Sequence, residues 1–425
     1  MNSELGLYGS RSRLGGRWTK AVCWTVVLLV CFLPPTFADN ISVSVSGNTR
    51  TQSSYIKNIV HDYIQQAGIQ EAADIDIARL EALILDKELF SEARVAVRDN
   101  TIHVTVKDRW TLIPIPVLIS QSGEDTKYGL FVLESNLLGY GKTVVAGAML
   151  SKSQGTYFFM YQDPEVASTD WTFDTQIVKV DKVTYQYQGE EKLFGDDRSL
   201  NKASVSLGYM FLEGVKAGLG MGWTDISYNA LNDYATPDDT SAVSGRSFFE
   251  LDAATFRFYY KEGWQGRLEF DQQLYRHDSA PKASQIEAVL LGEKNVVGQQ
   301  AIQAQLNVGY LNNGDERDLI RVGGNRGFRG IQDEGVWVDR YATLALDYQI
   351  PIWFGNLGTW TVAPFCDIGQ LRQPQGEDTV VTYTAIGLGT YLYLKEVALP
   401  GVGIYAGYND SFQETFFSAT IGFAF

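Results

Sequence analysis

From Trp110 to Phe425 the chain keeps a period of two, and no other feature constrains its fold as strongly. About sixteen segments of roughly eight to fourteen residues alternate apolar with polar side chains, separated by Gly, Asn, Asp and Ser clusters. The spans expected from this pattern include Lys202–Met210, Phe248–Tyr260, Gln300–Leu311, Trp360–Leu371 and Phe416–Phe425. In Gln303-Ala304-Gln305-Leu306-Asn307-Val308 one face is amide and the other aliphatic, a pattern that needs lipid on one side and water or polar groups on the other. Residues 109–425 give about 20 residues per strand with its share of loop, against roughly 9–11 needed to cross a bilayer. An even strand count places both ends on one side. A soluble sandwich or propeller is the alternative, and it would carry fewer Trp and Tyr at strand ends.

The N-terminus carries an export signal. Arg11, Arg13, Arg17 and Lys20 precede an apolar run from Ala21 to Phe32, and Thr36 and Ala38 mark a cut before Asp39. The run is too short to span a membrane, and nothing after residue 38 approaches the roughly 18 consecutive apolar residues of a spanning helix. Removing residues 1–38 takes away four cations and Glu4, so the net charge deepens from −15 to −18. That acidity, without a basic cluster, argues against nucleic acid as a partner. The cut also removes Cys23 and Cys31, leaving Cys366 alone and excluding an internal disulfide or a Cys-ligated metal.

Residues 39–108 read as a separate small α+β domain. Ile41 to Val45 alternates and stops at Gly47-Asn48; Ile56, Ile59, Val60, Tyr63 and Ile64 form one helical stripe ended by Gly68. A second helix is expected over Asp76–Lys87, then strands Ala93–Arg98 and Thr101–Val106 joined at Asp99-Asn100. The order is β-α-α-β-β, followed by a barrel over 109–425.

On these residues the mature chain resembles the BamA/TamA superfamily of outer-membrane proteins, the bacterial surface antigen family. The β-α-α-β-β unit resembles a single POTRA domain, and Asn136-Leu137-Leu138-Gly139-Tyr140-Gly141 resembles the turn that opens barrels of this group. Gly323-Gly324-Asn325-Arg326-Gly327-Phe328-Arg329-Gly330 resembles the motif of the sixth extracellular loop. If Arg329-Gly330 is the motif pair, Ile331 replaces the expected aromatic; if Arg326-Gly327 is the pair, Phe328 supplies it. The spacing to Asp339-Arg340 fits Arg329 better. Phe365-Cys366-Asp367-Ile368-Gly369 resembles the partner motif in the lumen. Phe365, Asp367 and Gly369 share one strand face, which must be the lumen, because a carboxylate facing lipid costs about 2–4 kcal/mol or less by depth. An inward guanidinium needs a carboxylate, so Arg329 and Asp367 are expected to pair and pin the loop.

Pro114 and Pro116 lie two apart in the first expected strand and remove two donors from one edge. Either that edge faces the last strand and weakens the closure seam, or the prolines end a linker. The resemblance implies an outer-membrane protein, embedded in the lipid bilayer with its POTRA domain in the periplasm, that helps insert, assemble or translocate polypeptides through a lateral opening. A client or periplasmic partner would add to the Ala93–Val97 edge strand. No cofactor, metal site or catalytic residue is expected. His277-Asp278-Ser279 has a His-x-Ser spacing but falls in an expected loop, and no Gly-x-Ser-x-Gly turn accompanies it. The rival readings are a passive pore and a two-partner-secretion-like transporter. Asp196-Asp197 and Asp238-Asp239 are expected to be solvated outer-loop pairs.

Overall fold

The computed structural model describes residues 41–421, except 88, 122–124, 189–190, 232–233, 258, 325–327, 332–333, 356–357, 375–378, 395–399 and 412. The expected export signal, and the end of the last expected strand beyond Ile421, lie outside the described residues.

The small domain runs β1 (Ser42–Ser46), α1 (Ser53–Ala67), α2 (Ile77–Asp86), β2 (Phe90–Arg98) and β3 (Thr101–Asp108). β3 is central, parallel to β1 and antiparallel to β2, which leaves one edge of β2 unpaired by sheet. α1 buries the expected stripe of Ile56, Ile59, Val60, Tyr63 and Ile64 and stops at Gly68, whose φ of 66° a side chain would disfavour. Asp76 caps α2 by accepting from the Arg79 amide at 3.1 Å, so the cap residue stands outside the helix. Asp99 and Asn100 both take positive φ at the β2–β3 hairpin, the mirror-image turn that a tight hairpin prefers.

The barrel begins with β4 (Leu112–Gln121), β5 (Lys127–Leu137), β6 (Lys142–Leu150), β7 (Gln154–Asp163), β8 (Trp171–Gln188), β9 (Glu191–Leu212) and β10 (Val215–Asn229). It continues with β11 (Thr240–Arg257), β12 (Tyr260–Arg276), β13 (Ser284–Val297) and β14 (Gln300–Asn312). Two short strands, β15 (Ile320–Val322) and β16 (Val336–Val338), form a separate two-stranded sheet among the described residues. β17 (Arg340–Phe354), β18 (Gly358–Gln373), β19 (Thr379–Leu394), β20 (Pro400–Asn409) and β21 (Glu414–Ile421) complete the wall. Neighbours are antiparallel, and β21 pairs with β4 to close sixteen strands.

The alternation sorts side chains by solvent. On β14, Ile302, Leu306, Val308 and Tyr310 are exposed on the outside, while Asn307 is buried inside and bonded to Thr343 at 3.1 Å. Trp171, Trp264, Trp353 and Trp360 ring the end nearest the small domain, and Tyr128, Tyr157, Tyr275, Tyr310 and Tyr408 ring the far end. An apolar outer band between two aromatic rims is the surface a bilayer requires. We call the two ends proximal and distal, the proximal one carrying the small domain.

Candidate functional site

The distal connection between β14 and β17 is the sixth distal loop, and it folds into the lumen. Its two short strands pair Ile320 with Val338, Arg321 with Trp337 and Val322 with Val336, and all six residues are buried. The motif residues Gly323 and Gly324 follow β15; Arg326 and Gly327 lie outside the described residues.

Phe328 is fully buried, edge-on to Tyr383 with centroids 5.0 Å apart. It lies over Gly369, where a Cβ would come within 2.8 Å of the ring. Arg329 is placed beside Asp367: its amide donates to Asp367 Oδ2 at 3.3 Å and its Nε at 2.9 Å, with a further Nη2 bond to Oδ1. Its two terminal nitrogens also donate to Asp347 at 2.8 and 3.1 Å. The guanidinium stacks 3.8 Å from the centre of the Phe365 ring, and the Tyr383 hydroxyl donates to the Arg329 carbonyl. Gly330 turns with φ of 89°, a conformation glycine tolerates. Phe365, Asp367 and Gly369 are buried while Cys366 and Ile368 face outward, so the β18 motif is on the lumen face.

The same loop is tied to the opposite wall. Arg321 forms a two-pronged contact with Asp196 of β9, at 3.1 and 2.6 Å, and donates to Thr184 of β8 at 2.9 Å. Its guanidinium lies 4.0 Å above Trp337, which meets Phe194 edge-on at 5.2 Å. Glu334 pairs with Arg198 and stands 3.7 Å from Lys182. At a third station, Arg276 of β12 binds Asp315 at 2.8 Å and Asp318 at 2.5 Å. β8 and β9 are the fifth and sixth barrel strands and β18 the thirteenth, so the loop crosses the lumen as a chord. Beside it remains a polar cavity of about 180 Å³, with Arg246, Glu269, Asp271 and Glu287 among its walls.

Asp196 and Asp197 are therefore not in a solvated loop: both belong to β9, and Asp196 is buried against Arg321. Asp278 is held by Arg276 at 2.7 Å and Arg317 at 3.0 Å, so the His277-Asp278-Ser279 stretch contributes its acid to the loop's ion pairs.

At the seam, Pro114 and Pro116 lie inside β4, which begins before them. Thr111 accepts from the Ser135 amide at 3.2 Å, making that pair a hydrogen-bonded one. The alternation of an antiparallel ladder then turns odd residues of β4 towards β5 and even residues towards the seam. Both prolines thus withhold a donor on the seam side. The described ladder there has four pairs, Leu118–Gln121 against Ser418–Ile421, whereas β20 and β21 share eight.

The small domain is fastened to the proximal turn of Asn136 to Gly141. Asn136 donates to Thr51 at 2.8 Å, Gln52 donates to the Gly139 carbonyl at 2.9 Å, and a Cβ on Gly141 would meet the Tyr55 hydroxyl at 2.5 Å. Lys87 reaches Glu165 at 2.6 Å on the next proximal turn. On the β2 edge, the Val95 amide donates to Glu81 at 2.8 Å, beside a groove of about 770 Å³ that includes Arg94, Arg98 and His103.

No family model and no curated protein matches this sequence. Solved structures do. BamA from Haemophilus ducreyi lacking POTRA domains 1–3 superposes with a TM-score of 0.61 at 13% identity, over 90% of this chain and 85% of that one. CdiB from Acinetobacter baumannii gives 0.59 at 12%, over 90% and 74%, and CdiB from Escherichia coli 0.57 at 12%, over 95% and 98%. The chain has the fold of BamA and CdiB.

Sequence reasoning missed Asp347, Arg321 and Glu334, and took Asp196 for a solvated loop residue. Asp347 had a signal: a carboxylate inside an alternating strand must face the lumen and needs a cation there.

Proposed function

We propose that this chain is an outer-membrane barrel of the BamA/TamA superfamily, with its small POTRA-type domain in the periplasm, that helps insert or translocate polypeptides. The observation carrying this reading is the joint occurrence of an inward sixth loop, held by Arg329 between Asp347 and Asp367, and a seam edge on β4 from which Pro114 and Pro116 withhold donors. Such a barrel can open laterally at low cost where backbone donors are already missing. The β2 edge of the small domain offers a client or periplasmic partner a place to add a strand once Glu81 yields the Val95 amide.

Ile119 and Thr420 are register partners across the seam. In a Cys366→Ser background, Ile119→Cys with Thr420→Cys forms a lock. Locking is expected to stop assembly of a newly added barrel protein into proteoliposomes, with recovery on reduction. Undiminished assembly by the locked form overturns the reading.

A transporter of the two-partner-secretion kind is a second reading, supported by the near full-length overlap with CdiB from Escherichia coli. It predicts export of a dedicated soluble client rather than insertion of barrels. The passive pore is disfavoured by the loop lying across the lumen, and a steady open current in planar bilayers would restore it.

A further inference from the structure

We propose that the sixth loop braces the C-terminal wall up to and including the last strand, which makes the first strand, β4, the side of the seam that moves. The turn of Phe328, Arg329 and Gly330 engages five consecutive strands. Arg329 holds Asp347 on β17 and Asp367 on β18, and its carbonyl accepts from Tyr383 on β19. The Gly330 carbonyl accepts from Asn409 on β20 at 3.5 Å. Gly330 also lies against Phe416 on β21, so closely that a Cβ would run into the ring.

Phe416 is not a lipid-facing residue. It is buried in the same apolar cluster as Phe328, with centroids 6.2 Å from both Phe365 and Tyr405. The last strand is therefore held from within the lumen as well as by its ladder to β20. β4 lacks this support: among the described residues, no side-chain hydrogen bond, ion pair or ring contact joins it to the sixth loop. Its buried Ile115 and Val117 lie outside the cluster of Phe416 and Phe328. It also carries the two prolines on its seam edge. Strain on the closed barrel then separates an anchored β21 from an unanchored β4. This inference rests on the proposed function only for the use made of the opening.

Hydrogen–deuterium exchange on the full-length protein in nanodiscs tests it. The β20-facing amides of β21 should exchange about tenfold more slowly than the β5-facing amides of Val117 and Ile119 on β4, since local opening sets exchange and these two sets report how firmly each strand is held by its own wall. Asp347→Asn with Asp367→Asn, checked for folding by heat-modifiable gel migration, should abolish that difference by speeding β21 and leaving β4 unchanged. Phe416→Leu, which keeps an apolar side chain but loses the ring against Gly330, should give part of the same loss. Exchange in β21 as fast as in β4 in the unaltered protein overturns the proposal, as does β21 protection that survives release of Arg329. Failure of the client assay alone would leave these rates as they are, so the two readings fail separately.

Discussion

A Cβ built on Gly369 would stand 2.8 Å from Cε1 of Phe328, so the sixth loop's ring fills the space that this strand glycine leaves bare. Gly369→Ala should push the ring outward and crowd the Ala342 carbonyl, which a Cβ would also meet at 2.8 Å, and so destabilise the loop's seat by about 1–3 kcal/mol, the usual cost of overpacking a filled site. A lowered urea midpoint for loss of the folded gel band is the expected result. An unchanged midpoint would mean that the ring and the Ala342 carbonyl both give way freely.

Arg329 serves two carboxylates, and the loss of either is unequal. Asp367 is fully buried and accepts from both the side chain and the amide of Arg329, so Asp367→Asn should destabilise by about 3–5 kcal/mol. Asp347→Asn should cost less, because Asp367 still holds the guanidinium. Arg329→Asp combined with Asp367→Arg is expected to recover part of the loss that either reversal causes alone, and the order of thermal midpoints among these five variants checks the assignment.

The opposite anchor can be tested without a client. Arg321→Asp or Asp196→Arg should free the hairpin from β8 and β9 and raise single-channel conductance several-fold, while the two changes together should return it towards the starting value. Equal conductance in all four proteins would show that the hairpin does not obstruct the lumen.

Pro114→Ala with Pro116→Ala restores two seam-side donors. Each new hydrogen bond contributes about 0.5–1.5 kcal/mol, so the barrel should become more heat-stable and slower in client assembly. Faster assembly would place the prolines outside the opening step.

Asp108 gives a pH dependence. Burial alone would raise its carboxyl, but hydrogen bonds from Thr51, Arg50 and Thr49 outweigh it and hold the group below the ordinary carboxylate range. A depressed folded value contributes stability that is fully present above the unfolded value of about 3.9 and is lost as pH falls through the folded value. The small domain should therefore loosen below about pH 4, and Asp108→Asn should be less stable than the unaltered protein at pH 7 with a flatter acid limb, read by near-UV circular dichroism.

The wall was legible because lipid and lumen impose opposite demands on alternate residues, as on β14 and β18. The start of β9 was not: Gly195-Asp196-Asp197 reads as a turn when the partner Arg321 lies 125 residues away in sequence. Likewise β11 begins at Thr240, ahead of the expected Phe248, since Ser241 to Gly245 carries little alternation. The β15–β16 hairpin is three residues a side, too short for any period to register. Asp347 belongs to no motif, and only the electrostatic demand of Arg329 singles it out.

The Glu81 carboxylate on the Val95 amide has a consequence for the chain before it meets any partner. β2 is a nine-residue strand with one naked edge, the kind of edge that zips two copies together and seeds fibrils. With its central amide already occupied by Glu81, that edge offers a second molecule only broken runs of donors and is a poor template for edge-to-edge pairing of two copies.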